Sequence, residues 1–327
     1  MDFSPDLFSR PTAISEGTES TIREIGSAVL TGLLLEVSAW PKPGLVAPRA
    51  MGAHRDMDLQ TFILSSAAIA PALYDCARAG FAHAEAPETL LPAIRAIGRD
   101  FDRRLLFATH GVNTQRGALF CAGLLAAAAG AAAQEEGGLT ADAVFAMTAR
   151  ITHGLTDREL VSRDPACAKS NGEILYRDYG VLGIRGEVEA GFPSVAFHGL
   201  PTLRTALAEG HGLNDALVHT LMVLIAETED TTILWRGGPD GLAFLQGEAV
   251  RILNLGGALG EAGRAEIEGL NAVCVERRLS PGGAADLLAV TAAAYLLENR
   301  RFPESAMIKS HLPEGPFCPP GPGPHGG

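Results

Sequence analysis

The run GALFCAGLLAAAAGAAA, from Gly117 to Ala133, carries no charge and is mostly alanine. Alanine is the strongest helix former, whereas strands favour β-branched and aromatic residues. The run falls short of the roughly 20 apolar residues that span a bilayer. It therefore predicts a core helix, and no membrane partner. Elsewhere alanine runs recur while β-branched runs stay short, and 47 % of the 327 residues are hydrophobic, enough for a sizeable core. The expected fold class is all-α, one large helical domain over 19–312. Residues 1–18 read as a flexible arm, and 313–327, ending FCPPGPGPHGG, as a disordered Pro/Gly-rich tail.

Charge and cysteine usage exclude several function classes. A net charge of −12 argues against a nucleic-acid partner, which needs a basic face. Cys76, Cys121, Cys167, Cys274 and Cys318 are odd in number and widely spaced, so they suggest neither a disulfide framework nor a zinc site. MDFSPDLFSRPT lacks the apolar core of a secretory signal. A reduced, soluble, cytoplasmic protein is expected, and its oligomeric state, including a homo-oligomer, is left open.

Helical periodicity divides the chain. Ile22, Ile25, Val29 and Leu33 form a stripe on a helix predicted from Thr21 to Ala39, which Pro41 and Pro43 end. Glu36 falls on that stripe, so its carboxylate needs a partner. A second helix begins near Asp58, kinked or divided at Pro71. A third is capped by Asn113 or Thr114 and stopped by Gly137 and Gly138; Thr140 caps a fourth that reaches His153. The glycine-rich 171–195 segment reads as irregular. Leu213, Leu217, Leu221 and Leu224 stripe another helix, and SPGGAADLLAVTAAAYLLE begins at Ser280 and Pro281.

Polar residues concentrate at the starts of these helices, in HRDMD, GVNTQRG, GLNDALVH and SPGGAAD. Helix N-termini present unpaired N–H groups and a positive dipole end, a natural phosphate site. Asp56 and Asp58 suit a divalent cation bridging phosphates, although Asp58 is equally an N-cap. Asp215 and His219 share a helical face and could simply bond each other. Glu229 and Asp230, read as a C-terminal turn, are unfavourable at that dipole end unless a cation or Arg236 offsets them. Arg185, Glu187 and Glu189 repeat the pattern in a loop. His54, His83, His110, His153 and His211 lack ligand spacing and read as structural. P-loop, GxSxG and HExxH signatures are missing, and no GxGxxG follows a strand.

Five segments together carry a resemblance: EVSAWPKPGLVAPRAMGAHRDMD, GVNTQRGALF, YGVLGIRGEVEAGFP, GLNDALVHTLMVLIAETEDTTILWRGG and SPGGAADLLAVT. In order, they resemble the blocks of the triphosphoribosyl-dephospho-CoA synthases, over about 30–295. The resemblance implies a transferase joining ATP and 3′-dephospho-CoA with release of adenine. Its product is the prosthetic-group precursor for the acyl-carrier subunit of malonate decarboxylase or citrate lyase. Ribosyl transfer builds oxocarbenium-like charge that carboxylates stabilise, and it needs a general base. On that reading Lys42, Arg55, Arg116, Arg185 and Arg236 hold phosphates, and Asn113, Thr114 and Asn214 bond ribose or adenine. Asp56, Asp58, Glu229 and Asp230 are the candidates for Mg2+. Glu36, Glu187 and Asp215 compete for the base and charge-stabilising roles. The rivals are a magnesium-dependent nucleotide or ADP-ribose hydrolase and a non-catalytic module docking on a carrier protein. All these residues are expected to converge in one nucleotide cleft.

Overall fold

The computed structural model describes residues 16–135 and 138–308. Most of the predicted arm, Gly137 and the entire predicted tail lie outside the described residues. Helix α1 (Glu16–Ser38) starts earlier than predicted, so Glu16–Thr18, assigned to the arm, are helical. The chain continues through α2 (Leu59–Ala82), α3 (Leu91–Ala108), α4 (Arg116–Ala132) and α5 (Ala141–Thr152). Next come α6 (Asn171–Tyr179), α7 (Gly183–Glu189), α8 (Leu200–Ala208) and α9 (Leu213–Glu227). The described chain closes with α10 (Thr231–Asn254), α11 (Glu261–Arg277), α12 (Gly282–Asn299) and α13 (Glu304–Ile308). Among the described residues no β-strand occurs, so the all-α expectation holds.

Several helix limits follow from local chemistry. Asp58 caps α2 through a reciprocal box: its carboxylate accepts from the Thr61 amide at 2.9 Å, while the Thr61 hydroxyl accepts from the Asp58 amide. Pro71 sits inside α2 and does not divide it. Thr140 caps α5 as predicted, accepting from the Ala143 amide. At α4 the cap position is Gln115, not Asn113 or Thr114, and no side chain caps it. The Gln115 amide turns away to donate to Ser66 Oγ at 3.1 Å.

The 171–195 segment corrects the irregular-loop expectation, since α6 and α7 occupy much of it. A Ser170–Glu173 capping box starts α6 and left-handed Gly180 ends it. Glu229 and Asp230 also change meaning. Asp230 is the N-cap of α10, not part of a C-terminal turn, so the helix dipole favours it. Helix α10 itself bends at Gly238, whose φ of 63° and ψ of −169° leave the helical region.

Helix α4 is the centre of the packing, against α1, α2, α5 and α12. Its alanines are almost all fully buried. Small residues let backbones touch. A Cβ on Gly80 of α2 would lie 1.9 Å from the Ala127 carbonyl oxygen of α4, and one on Gly130 would lie 2.1 Å from that of Ala77. The predicted leucine stripe of α9 is buried as well, in the same large core as α4; two small buried clusters stand beside it, one of Val37, Val46 and Met57 and one of Leu175, Val181 and Leu234. This packing leaves the N-termini of α4, α10 and α12 and the C-terminal end of α1 around a common opening.

Candidate active site

That opening is a cleft made of two adjoining cavities. The first, of about 510 Å³, is lined by Glu36, His54, Asp56, residues 113–118, Thr231, Thr232, Trp235, Arg236, Ser280 and Asp286, among others. The second, of about 550 Å³, lies over Gly183, Gly186, Glu187, Ser194, residues 227–232, Gly283 and Asp286. Gly117, Thr231, Thr232 and Asp286 line both. The polar segments HRDMD, GVNTQRG and SPGGAAD thus meet here with those around Glu187 and around Glu229–Arg236, although they are far apart along the chain.

Glu36 needed a partner, and Lys42 is it. Lys42 is completely buried; its ammonium donates to the Glu36 carboxylate and, at 2.6 Å, to the Glu36 backbone carbonyl. Burial lowers the Lys42 pKa, and the charge and hydrogen bond of Glu36 oppose that shift. Lys42 therefore anchors a cleft carboxylate from behind and does not line the cleft, which corrects the expectation that it faces phosphate. The cost of burying both charges is offset only because the pair is hydrogen-bonded.

The cationic wall of the first cavity comes from α10, α4 and the loop before α2. Arg236 donates to the Ala53 carbonyl at 3.2 Å and to His54 Nδ1 at 3.3 Å. A guanidinium cannot accept, so Nδ1 is the accepting nitrogen and Nε2–H donates to Ser280 Oγ at 3.0 Å. Burial first, then the Arg236 charge, push the His54 pKa down to about 4. His54 is thus a neutral, fixed member of the wall, not one of the generic structural histidines. Arg116 stands at the N-terminus of α4, paired with Asp102 at 2.6 Å. That terminus has no side-chain cap, so its N–H groups remain available to an anion. The buried Thr114 hydroxyl on the same wall makes no hydrogen bond among the described residues.

The second cavity is acidic. Glu187 accepts from the Ser194 amide at 2.8 Å and the Ser194 hydroxyl at 2.9 Å, and burial raises its pKa. Asp230 is buried and joins two helices: Oδ1 accepts from the Thr232 and Ile233 amides, and Oδ2 from the Ala284 amide of α12 at 2.8 Å. Burial dominates its raised pKa, with those amides opposing. Between the cavities stands Asp286, pushed well above the ordinary aspartate range by burial, then by the negative charges of Glu36 and Asp230.

Some flagged residues do not join this cleft. Asn214 and Asp215 line a separate cavity of about 670 Å³ on the far side of the Trp40–Pro41 turn. The Asn214 amide brackets Trp40, accepting from its N–H at 2.9 Å and donating to its carbonyl at 2.7 Å. Asp215 pairs with Arg264 at 2.5 Å and not with His219. Arg185 is taken up by Glu159 at 2.8 Å, a carboxylate it shares with Arg95. Arg55 is exposed and lines neither half of the cleft, and Asp58 is occupied as a cap. Convergence into one cleft therefore fails for Lys42, Arg55, Asp58, Arg185, Asn214 and Asp215. It holds for Glu36, Asp56, Asn113, Thr114, Arg116, Glu187, Glu229, Asp230 and Arg236. The sequence assigns no place in the site to Asp286 or Ser194, and gives His54 only as structural and Ser280 only as a helix start. For Asp286 a signal existed, a lone charge inside an apolar helical run.

Among the described residues no group of three or more His, Cys, Asp or Glu side chains is arranged to hold a metal ion by itself. A triphosphate-bound Mg2+ needs less, one or two carboxylates with water and phosphate oxygens completing its shell. Asp58 and Asp230 spend oxygens on amides. Asp56, exposed on the rim of the cationic cavity, and Glu229, exposed on that of the acidic one, keep a suitable hard-oxygen donor set.

Residues 22–303 match the model of a family described as ATP:dephospho-CoA triphosphoribosyl transferase. A probable 2-(5''-triphosphoribosyl)-3'-dephosphocoenzyme-A synthase of Malonomonas rubra is 42 % identical over 284 residues, 85 % of this chain and 89 % of that protein. The 2-(5''-triphosphoribosyl)-3'-dephosphocoenzyme-A synthase of Klebsiella pneumoniae is 39 % identical over 287 residues, 88 % of this chain and 95 % of that one. No solved structure matches.

Proposed function

The chain belongs to the ATP:dephospho-CoA triphosphoribosyl transferase family, and from that premise we propose how its cleft carries the reaction. The enzyme joins ATP to 3′-dephospho-CoA and releases adenine. The acceptor's 2′-hydroxyl attacks C1′ of the ATP ribose, and the triphosphate stays on the transferred sugar. Because the phosphates are handles and not the reacting centre, a Walker lysine is unnecessary. That accounts for a polyphosphate-using chain without a P-loop.

One observation carries the assignment of this site: polar segments distant in the chain close around one cavity that presents Arg116 and Arg236 together with Glu36, Asp56 and Asp286. Arg236, Arg116 and the uncapped start of α4 supply the positive field for the triphosphate. The Thr114 hydroxyl and Asn113 supply hydrogen bonds to the sugar. Glu36, locked by Lys42, is a fixed negative charge that favours a developing oxocarbenium ion. Asp56 would hold a Mg2+ arriving with the triphosphate, and the ion would screen the phosphate charge. A reducing, ATP-containing cytoplasm fits the chain's free thiols, including exposed Cys167.

The test is mass spectrometry of the full chain incubated with ATP, Mg2+ and 3′-dephospho-CoA. Adenine and a triphosphoribosylated product should appear together, and omitting Mg2+ should suppress both. Adenine formed equally well without dephospho-CoA would instead mark a nucleotide hydrolase.

A further inference from the structure

The two halves of the cleft differ sharply in charge. The first presents the guanidiniums of Arg116 and Arg236, with neutral His54, beside Glu36, Asp56 and Asp286. The second presents Glu187, Glu227, Glu229 and Asp230, with no Lys, Arg or His among its described lining residues. A triphosphate is repelled from the acidic half and attracted to the cationic one. The purine is neutral and accepts an acidic surround, which also offers acceptors for its exocyclic amine. ATP laid across the cleft in this sense places its ribose at the junction.

The junction is built around one carboxylate. Asp286 lines both cavities. Facing it is Gly117, where a Cβ would come within 2.2 Å of Asp286 Oδ2, so only glycine keeps that face of the carboxylate open. The neighbouring carboxylates are already engaged: Glu36 by Lys42, Glu187 by Ser194 and Asp230 by amides of two helices. Asp286 accepts no hydrogen bond among the described residues. Its raised pKa makes it a better proton acceptor than an ordinary aspartate.

Building on the activity proposed above, we propose that Asp286 is a catalytic residue, the general base that deprotonates the attacking hydroxyl at the junction of the two cavities. The acceptor oxygen bonds to C1′ as the C1′–N9 bond breaks, and that electron pair enters the purine. The hydroxyl proton passes to the Asp286 carboxylate, and the purine takes a proton from water in the acidic half. Asp286 then returns its proton to solvent, so one proton has moved in net terms from hydroxyl to adenine.

Steady-state adenine release by wild type and Asp286→Asn tests this, with ATP binding followed through the fluorescence of Trp235 on the cleft wall. The expected result is a kcat lower by about 10²–10⁴-fold with ATP affinity changed less than about threefold. A kcat within about fivefold of wild type, or a loss carried by ATP binding alone, would overturn the assignment. Should Asp286→Asn fail to fold, Gly117→Ala is read in its place. Its added methyl must displace the carboxylate, so an unchanged kcat refutes the role. Wild-type adenine release that ignores dephospho-CoA would sink the activity reading itself, a separate outcome from an active Asp286→Asn enzyme.

Discussion

Replacing Lys42 with methionine removes a charge that solvent cannot replace. The Lys42 side chain is 0 % exposed and that of Glu36 is 10 % exposed, so the surviving carboxylate is nearly dry. Breaking a buried pair on one side typically costs about 3–5 kcal/mol. The Glu36 carbonyl, bonded to Nζ at 2.6 Å, loses a partner too, which for a buried acceptor is worth about 1–3 kcal/mol. The two terms overlap, and the slight exposure of Glu36 to the cleft moderates the first. The net expectation is about 3 kcal/mol from Lys42→Met, read as a lowered urea midpoint at unchanged slope. Glu36→Leu in the same chain removes the stranded charge, and the double variant should recover most of the loss. A double-mutant cycle gives the coupling directly. A single-variant loss below about 1 kcal/mol, or a double variant no more stable than Lys42→Met, would refute the view that the ion pair holds Glu36 in place.

Three further outcomes follow from the same geometry. Arg236→Ala should raise the KM for ATP at least tenfold, on the order of one charge-assisted contact, with a smaller effect on kcat, checked by adenine release. His54 has a folded pKa of about 4 against about 6.5 when unfolded, so the unfolded chain takes up its proton first as pH falls. Its contribution is intact above pH 6.5 and is lost between there and about 4. Denaturation midpoints should drop over that window, and His54→Gln should drop less. Gly80→Ala drives a methyl into the Ala127 carbonyl at 1.9 Å and should cost about 1–3 kcal/mol by overpacking, measured by thermal unfolding.

Periodicity and caps made much of the helical frame legible. The Ile22–Leu33 stripe, the leucines of α9, and the Thr140 cap are where pattern alone put them. Short helices escaped for a physical reason. Helices α6 and α7 are too brief to show a period and lie in a glycine-rich segment, yet SNGE at 170–173 spells the capping box that starts α6. TEDTT follows an apolar helix and so reads as its end, although Asp-Thr-Thr is itself a start signal for the next one, which Asp230 caps. The cleft was half legible. Asp286 in AADLLAV is, like Glu36, a carboxylate on an apolar helical face. Which acids stay unengaged depends on neighbours such as Lys42 and Ser194, and spacing does not encode those contacts.

The shared anchoring of α10 and α12 by a single side chain limits how this enzyme can breathe. With Asp230 holding amides from both, those helices move as one body, and sliding between them would strand a buried carboxylate. Admission of a substrate as long as dephospho-CoA must then come from the opposite bank, where α4 and the 41–58 turn meet it. Hydrogen exchange on that bank should quicken and slow with nucleotide, while the clipped pair stays silent.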